Sequence, residues 1–466
     1  MLGLLSSGAG VIYCQLVLCL FGAAAAVNLP ALGGAVITPS VMFLPFLVAR
    51  AWSEQHGHKY SRRLPQAGLW LALVVIWGLV SAYFMPRIFA GDIDIVGVDR
   101  GGGTKGPTLG PLRPVSGNLT QGGYALGGFM AFLSMHALLE KPGRLQHFRD
   151  GVLLLAALDV FAAGYNLCEY HLGFPKILDY VRTAYTLFDA YEIAGTGLMR
   201  IHGTFTETAG FSGFSLPVFA FCFSLWLHKV RPLYTGALSL ALIVLLAIST
   251  STTAYVGLAL YGVMLAFVLT YRGYLRGIVP RIGLLVAGGL LLFVVVGSTF
   301  VFETQFSRQL EGYVELTVFN KMASASGIER SFWNRQAWSN FVDTYGLGVG
   351  LGSVRASSLA LVLLSNLGVI GTVFFLAFLR RVLTGTRQAV ELEPVPEAAR
   401  QAVLASLAAS LPSGTVFDLG ILFYSYAAAA CAIPVREVGR VYGPQVWLNA
   451  DAVRAGQPVR GSLVER

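Results

Sequence analysis

Charge is what this chain has least of. Asp, Glu, Lys and Arg together make up 12% of its 466 residues, about half of what a soluble domain carries. Cysteine is scarce too. Cys14, Cys19, Cys168, Cys222 and Cys431 all fall in or beside apolar runs, with no paired spacing in loops, which excludes a disulfide framework or a cysteine metal site. Of the histidines His56, His58, His136, His147, His171, His202 and His228, no pair on the outer side has metal-ligand spacing. His56 and His58 read as solvated residues of a basic inner loop. A nucleophile elbow, an H-E-x-x-H helix and a dinucleotide fingerprint are all missing. The net charge of +9 comes without a basic, aromatic-studded soluble face, so no nucleic-acid partner is expected. No metal and no cofactor are expected either. Catalysis, if present, has to rest on positioning and on fixed charges.

Apolar sequence is abundant instead: 55% of the residues are hydrophobic. Runs of roughly 17 to 25 apolar residues, each long enough to cross about 30 Å of hydrocarbon, recur along most of the chain. Twelve candidate spans lie near Val11–Asn28, Gly33–Val48, Ala67–Met85, Gly123–Leu139, Val152–Cys168, Phe211–Leu227, Gly236–Ile248, Ala254–Thr270, Ile282–Val301, Ser357–Leu379, Gln401–Leu411 and Phe417–Ile433. The runs are continuous rather than alternating, which argues against a β-barrel. The expected fold is an all-α polytopic membrane protein of about twelve transmembrane helices, occupying residues 1–434, with a cytoplasmic tail at 435–466. Lys and Arg concentrate in the short loops of one side, which places both termini in the cytoplasm. The first span reads as retained rather than as a cleaved signal peptide. No internal repeat at a fixed period is found, and no inverted pair of broken helices.

Three outer loops are long. The first, Pro86 to Gly122, is rich in Gly and Pro and reads as irregular. Its stretch Gly101 to Thr108 lacks the spacing and context of a phosphate loop. The second, Glu169 to Ala209, ends in RIHGTFTETAGFSGF. The third, residues 302–356, carries two amphipathic segments. In one, Phe306, Leu310, Tyr313, Val314 and Val318 form an apolar stripe; in the other, Phe332, Trp333, Ala337, Trp338 and Phe341 do. A glycine turn, Tyr345 to Gly352, follows and runs straight into an apolar span. This junction puts cations and loose backbone at the lip of a membrane.

The residues able to do chemistry are mostly outward-facing arginines: Arg200, Arg330, Arg335 and Arg355. A guanidinium fork matches phosphate oxygens and stays charged at any relevant pH. The same side chains also suit lipid headgroups, or ion pairs with Glu207, Glu303 or Glu329. Glu207 reads equally as a general base or as the counter-charge of Arg200. His202 sits in the same segment. Asp159 and Asp418 fall within expected spans, where a carboxylate faces a cavity, an ion path or a partner helix.

Two segments resemble the O-antigen polymerase and O-antigen ligase superfamily of bacterial inner-membrane glycosyltransferases. RIHGTFTETAGFSGF is similar to that family's arginine–glycine–threonine–phenylalanine approach to a middle span. RSFWNRQAWSNFVDTYGLGVGLGSVRASSLALVLLSNLGVIGTVFFLAFL is similar to its long periplasmic loop and following span. LAISTSTTAYVGLALY is a weaker echo. The resemblance implies a GT-C-like helical fold with amphipathic helices in the periplasmic loop. It implies metal-independent, inverting transfer of a glycan from an undecaprenyl-diphosphate donor to a glycan acceptor. By motif, Arg200 and Arg330 would hold the diphosphate, Glu207 would act beside them, and Arg335, Arg355, His202 and Trp333 would bind substrate.

Two departures from the family pattern matter. Where the ligases carry a histidine at the start of the span after the glycine turn, this chain has Ser357 and Ser358. The family's serine–arginine pair is replaced by Ser251, Thr252 and Thr253. The missing histidine favours a polymerase of O-antigen or exopolysaccharide over a ligase that acts on lipid A–core. Such an enzyme would work within lipopolysaccharide or other polysaccharide biosynthesis, in the bilayer and beside a chain-length regulator. A flippase for the same precursors is the competing class.

Overall fold

A computed structural model of the protein describes residues 7–29, 35–55, 65–96, 109–184, 200–276, 325–384 and 394–432. The described residues are mostly helical. In chain order the helices are α1 (Gly8–Leu18), α2 (Pro39–Gln55), α3 (Gln66–Ile88), α4 (Ser116–Leu139), α5 (Arg144–His171), α6 (Thr208–Leu227), α7 (Pro232–Ile248), α8 (Thr252–Arg276), α9 (Ala325–Asp343), α10 (Leu359–Thr384), α11 (Val395–Ser410) and α12 (Gly420–Cys431). Five of them, α3, α4, α5, α6 and α10, are long and apolar enough to cross a membrane; α1, α7, α12 and the Thr252–Val268 part of α8 are shorter apolar helices. The expected span at Ile282–Val301 and the amphipathic stripe from Phe306 to Val318 lie outside the described residues, as does the stretch Gly101 to Thr108.

The bundle is apolar on its outside as well as within. Along α3, Leu69, Leu73, Ile76, Val80 and Tyr83 are exposed, while Leu71, Val74, Val75, Ala82 and Met85 are buried on the other side. Exposed apolar residues at helical spacing on so long a helix suit hydrocarbon rather than water. The buried stripes meet in one continuous core. Aromatic side chains knit it together: Phe148, Phe221 and Tyr426 contact one another across α5, α6 and α12.

The two ends of the bundle differ in charge. At one end Glu54 of α2 is held by Arg50 (2.8 Å), Lys141 (2.8 Å) and Arg144 (3.3 Å), and Asp150 by Arg149 (2.9 Å) and Arg231 (3.2 Å). The N-terminus of α1 abuts this cluster, because a Cβ on Gly8 would collide with Glu54 and Arg144. The chain just past the far end of α1 is tied to the segment before α6. The Thr204 hydroxyl donates to the Leu20 carbonyl, and Ala23 N–H donates to the Thr204 carbonyl at 2.9 Å. The segment from Arg200 to Glu207 therefore lies at the opposite end from the cationic cluster.

Four expectations need correction here. The stretch read as the end of a first span and the start of a second contains an antiparallel hairpin, β1 (Val27–Leu29) with β2 (Ala35–Ile37), in the register Val27 to Ile37. Short β-branched apolar strands look like a continuing span, because hydropathy does not separate the two. The first long loop is not wholly irregular: β3 (Asp94–Val96) pairs with β4 (Leu109–Pro111). This hairpin docks on α9 through Gln336, which donates to the Asp94 carbonyl at 2.7 Å. Asp418 does not lie in a span, since α12 begins at Gly420 and Asp418 stands in the turn before it.

The fourth correction concerns the glycine turn. Its backbone is not loose. Gly346, Gly348, Gly350 and Gly352 all have positive φ, and Cβ atoms on Gly350 and Gly352 would collide with the carbonyls of Ser81 and Gly117. The turn is wedged between α3, α4 and α10. Its N–H groups are occupied: Gly348 donates to the Thr344 hydroxyl (3.0 Å), Val349 to the Ser365 carbonyl (2.7 Å), and Gly350 to the Asn366 carbonyl (3.1 Å). Gly352 N–H donates to the Asn366 side-chain oxygen at 3.0 Å. The Asn366 amide donates in turn to the carbonyls of Val354 and Val362, each at 3.1 Å. Opposite the turn, α10 kinks at Gly368 (φ 64°, ψ −166°), and the Trp77 indole N–H donates to the buried Leu367 carbonyl beside the kink at 2.7 Å. Irregular backbone inside an apolar bundle is tolerated only when every polar group is satisfied within the protein. Asn366 and Trp77 provide that here.

Candidate functional site

Residues 200–207 form a short non-helical segment that leads into α6. Its shape is over-determined. The side-chain oxygen of Asn166, near the end of α5, accepts from the backbone N–H of His202 (3.0 Å) and of Gly203 (3.2 Å). Asn166 donates to Glu169 (3.1 Å), which also accepts from Leu178 N–H (3.3 Å). Arg182 is buried and donates through Nε to the Gly203 carbonyl at 2.8 Å, with Asp179 at 3.2 Å and Glu169 at 3.9 Å. Gly203 has φ +55°, the left-handed region that glycine adopts without strain. The segment is thus a rigid bracket, clamped on one side by Asn166 and on the other by Arg182.

The bracket holds Arg200 at its start and Glu207 at its end. Arg200 is half-buried, and its Nε–H is enclosed with no hydrogen-bond partner among the described residues. Its ionisation is pulled down by burial, supported by the negative charge of Glu207, and pulled down again by the positive charge of Arg330. Arg330 comes from α9, far along the chain, yet stands close enough for its charge to be felt at Arg200. Arg200 is therefore partly desolvated and within electrostatic reach of both Glu207 and Arg330. Like charges held together without a carboxylate for each are costly unless an anion joins them.

A strip of side chains continues from Arg330. Trp333 lies one turn along α9 on the same side, and the Arg355 guanidinium rests over its ring at 5.0 Å. The Trp333 indole N–H is buried and has no partner among the described residues. Asn334, on the same face, accepts from Ser357 N–H at 2.7 Å and so fixes the chain leading into α10. Arg355 N–H donates to the Val96 carbonyl at 3.3 Å, which ties the strip to the β3–β4 hairpin. Arg335 is exposed and five positions beyond Arg330, about 140° round the helix, so it faces away from this strip. His202 is buried at 3% exposure. The structure thus brings Arg200, Glu207 and Arg330 together, sets Trp333 and Arg355 beside them, encloses His202, and leaves Arg335 apart.

The other flagged carboxylates have separate places. Asp159 is enclosed in α5 and accepts from the Ser215 hydroxyl of α6 at 2.7 Å, a helix-to-helix bond. Asp418 accepts from Gly420 N–H at 3.2 Å. Burial pushes its carboxyl up to about 6, and that backbone bond pulls the other way. Ser249, Thr250 and Ser251, in the turn between α7 and α8, are buried. Among the described residues no group of His, Cys, Asp and Glu is placed to hold a metal ion.

Nothing in their spacing marks Asn166, Glu169 and Arg182 as site builders. The usable signal was Asn166 itself, a lone amide late in an apolar run, where a polar group requires a partner. Asn166→Ala orphans two buried N–H groups at roughly 1–3 kcal/mol each. It is expected to lower stability by about 2–6 kcal/mol and to reduce activity with it, checked by thermal unfolding in detergent beside a turnover assay.

A scan against models of known protein families matches none, and a search of curated proteins finds no match.

Proposed function

We propose that this protein is a bacterial inner-membrane glycosyltransferase that polymerises undecaprenyl-diphosphate-linked repeat units into O-antigen or exopolysaccharide. The observation that carries the reading is Arg200 within electrostatic reach of Arg330 and Glu207, with its Nε–H enclosed and unpartnered among the described residues. A diphosphate presents the several oxygens that such a pair lacks, at the one place where the described residues concentrate cations away from the Glu54 cluster. In transfer, an acceptor hydroxyl oxygen bonds to the anomeric carbon while that carbon's bond to the diphosphate oxygen breaks. The proton of the hydroxyl passes to Glu207, and the charge gathering on the leaving diphosphate is stabilised by Arg200 and Arg330. Fixed cations aid such a step because they bind the developing charge more strongly than the ground state. Trp333 and Arg355 would hold the adjoining part of the donor.

The finer topology belongs to the same proposal. Twelve spans with both termini in the cytoplasm set the Glu54–Arg144 cluster inside, following the bias of cations toward the cytoplasmic side, and the bracket outside. Ser357 and Ser358 stand where the ligases have their histidine, which favours the polymerase. Against the flippase reading, Asp159 is bonded to the Ser215 hydroxyl and Asp418 to the Gly420 N–H, so each carboxylate already has a structural partner. The deciding experiment uses purified protein in proteoliposomes with lipid-linked repeats. The expected result is longer lipid-linked chains without a proton gradient; movement of repeats without lengthening would overturn the proposal.

A further inference from the structure

Helix α9 has two faces. Arg330, Trp333, Asn334 and Ala337 recur at helical spacing on the side that meets Arg355 and Ser357. Ile328, Arg335, Trp338 and Val342 recur at the same spacing on the opposite side, and Tyr345 follows just past the helix end. Ile328, Trp338, Val342 and Tyr345 are each more than half exposed, and Arg335 is exposed with them. Of the apolar stripe read on this segment from its sequence, only Trp338 stands out in this way. Phe332, Trp333 and Phe341 are partly covered, and Ala337 is buried. One turn to either side of Arg335 stand Ser331, Phe332, Trp338 and Ser339, so no acid neighbours it along the helix.

The exposed face continues past α9. Tyr345 leads into Gly346, whose carbonyl accepts from Val369 N–H at 2.9 Å. A Cβ on Gly346 would touch the Val369 side chain at 3.4 Å. Val369 opens the second half of α10, beyond the Gly368 kink, where Val369, Val373 and Leu376 are about half exposed at helical spacing. Because α10 is long and apolar enough to cross a membrane, this row suits acyl chains. Whatever covers Val369 and Val373 therefore continues over Tyr345, Val342 and Trp338. The end of α3, from which the β3–β4 hairpin leads to α9, repeats the same chemistry. Tyr83, Phe84 and Ile88 are exposed there, and the Arg87 guanidinium rests over the Tyr83 ring at 4.0 Å. Aromatic rings and arginines beside apolar residues mark the boundary between hydrocarbon and headgroups.

We propose that the outward face of α9 binds phospholipid of the adjoining leaflet, with Arg335 on a headgroup phosphate and Trp338, Val342 and Tyr345 among the upper acyl carbons. A soluble partner would need an edge between its own footprint and the lipid at Val369, and the surface runs on there without a step. The inference concerns the back of α9 and does not depend on the reaction at its front. Lipid held on the back would fix the height of Arg330, on the front of the same helix, relative to the headgroups.

The test uses full-length protein in vesicles of phosphatidylcholine and phosphatidylglycerol, brominated on the acyl chains either near the headgroup or near the methyl end. The chain has 7 tryptophans, so the emission of Trp338 is read as the difference between wild type and Trp338→Phe, a change at an exposed ring that leaves the core alone. That difference is expected to be quenched strongly by bromine near the headgroup, weakly by bromine near the methyl end and little by aqueous iodide. Quenching by iodide with none by either brominated lipid would overturn the proposal. Quenching by none of the three would overturn it as well, because protein, a second copy included, would then cover the face. With bromine carried by phosphatidylglycerol alone, Arg335→Gln is expected to need roughly fivefold more of that lipid for the same quenching of Trp338, and Arg335→Lys to restore most of the effect. An unchanged requirement in Arg335→Gln would overturn the assignment of a phosphate to Arg335. Neither readout involves a glycan, so failure here leaves the proposed transfer reaction standing.

Discussion

Arg330→Ala is expected to abolish long-chain polysaccharide in cells that make the protein at normal levels, and Arg200→Ala to do the same. Each removes one of two guanidiniums that stand within electrostatic reach of each other. Loss of one preorganised charge donor costs about 10²–10³ in rate, enough to erase the ladder on a gel. The two variants should not multiply. With both arginines on the same leaving group, the double variant is expected to be little worse than either single one, as for residues that act as a unit. Lysine at either position would keep the charge but lose the planar fork, so Arg200→Lys is expected to recover only part of the rate. Normal long-chain polysaccharide from Arg330→Ala, with normal protein in the membrane, would remove the proposed function.

The second large effect concerns folding rather than chemistry. Asn366→Leu strips partners from Gly352 N–H, Val354 N–H and the Val354 carbonyl, and removes the amide donated to Val362. At about 1–3 kcal/mol for each buried group left unsatisfied, the total approaches the stability of a whole domain. No folded protein is expected from membranes. Gly352→Val should behave alike, because its side chain would meet the Gly117 carbonyl. Size-exclusion chromatography in mild detergent separates the outcomes, and a monodisperse Asn366→Leu protein would show that the glycine turn is not anchored as described. Asn366→Asp, which keeps the acceptor and removes the donor, should fall between wild type and Leu.

The helices were legible because hydrocarbon-length apolar runs have few other readings: Gln66–Ile88, Ser116–Leu139 and Thr208–Leu227 each contain an expected span. The misreadings arose where two physical demands produce the same residues. Glycines at alternate positions suit both a loose surface connection and a buried, close-packed turn. Only the neighbours decide, and here Ser81, Gly117 and Asn366 do so. Apolar strands such as Val27–Leu29 pass for the end of a helix. Of the candidate site, Arg200, Glu207 and Arg330 were visible as charges beside spans, but their meeting depends on how α9 folds back. Arg182 looked like one loop cation among several, and its grip on Gly203 exists only in three dimensions.

The wedged glycine turn has a consequence for how such a protein can diverge. It anchors the C-terminal end of α9, and Arg330 sits thirteen positions before that end at Asp343, roughly 20 Å away along a stiff rod at about 1.5 Å per residue. Insertions or deletions in the turn would swing or withdraw the rod and carry the cation off its counterpart. Changes in the glycan handled therefore have to come from exchanging side chains around the arginine pair rather than from altering loop length, and the stretch from Asp343 to Leu359 acts as a fixed-length strut.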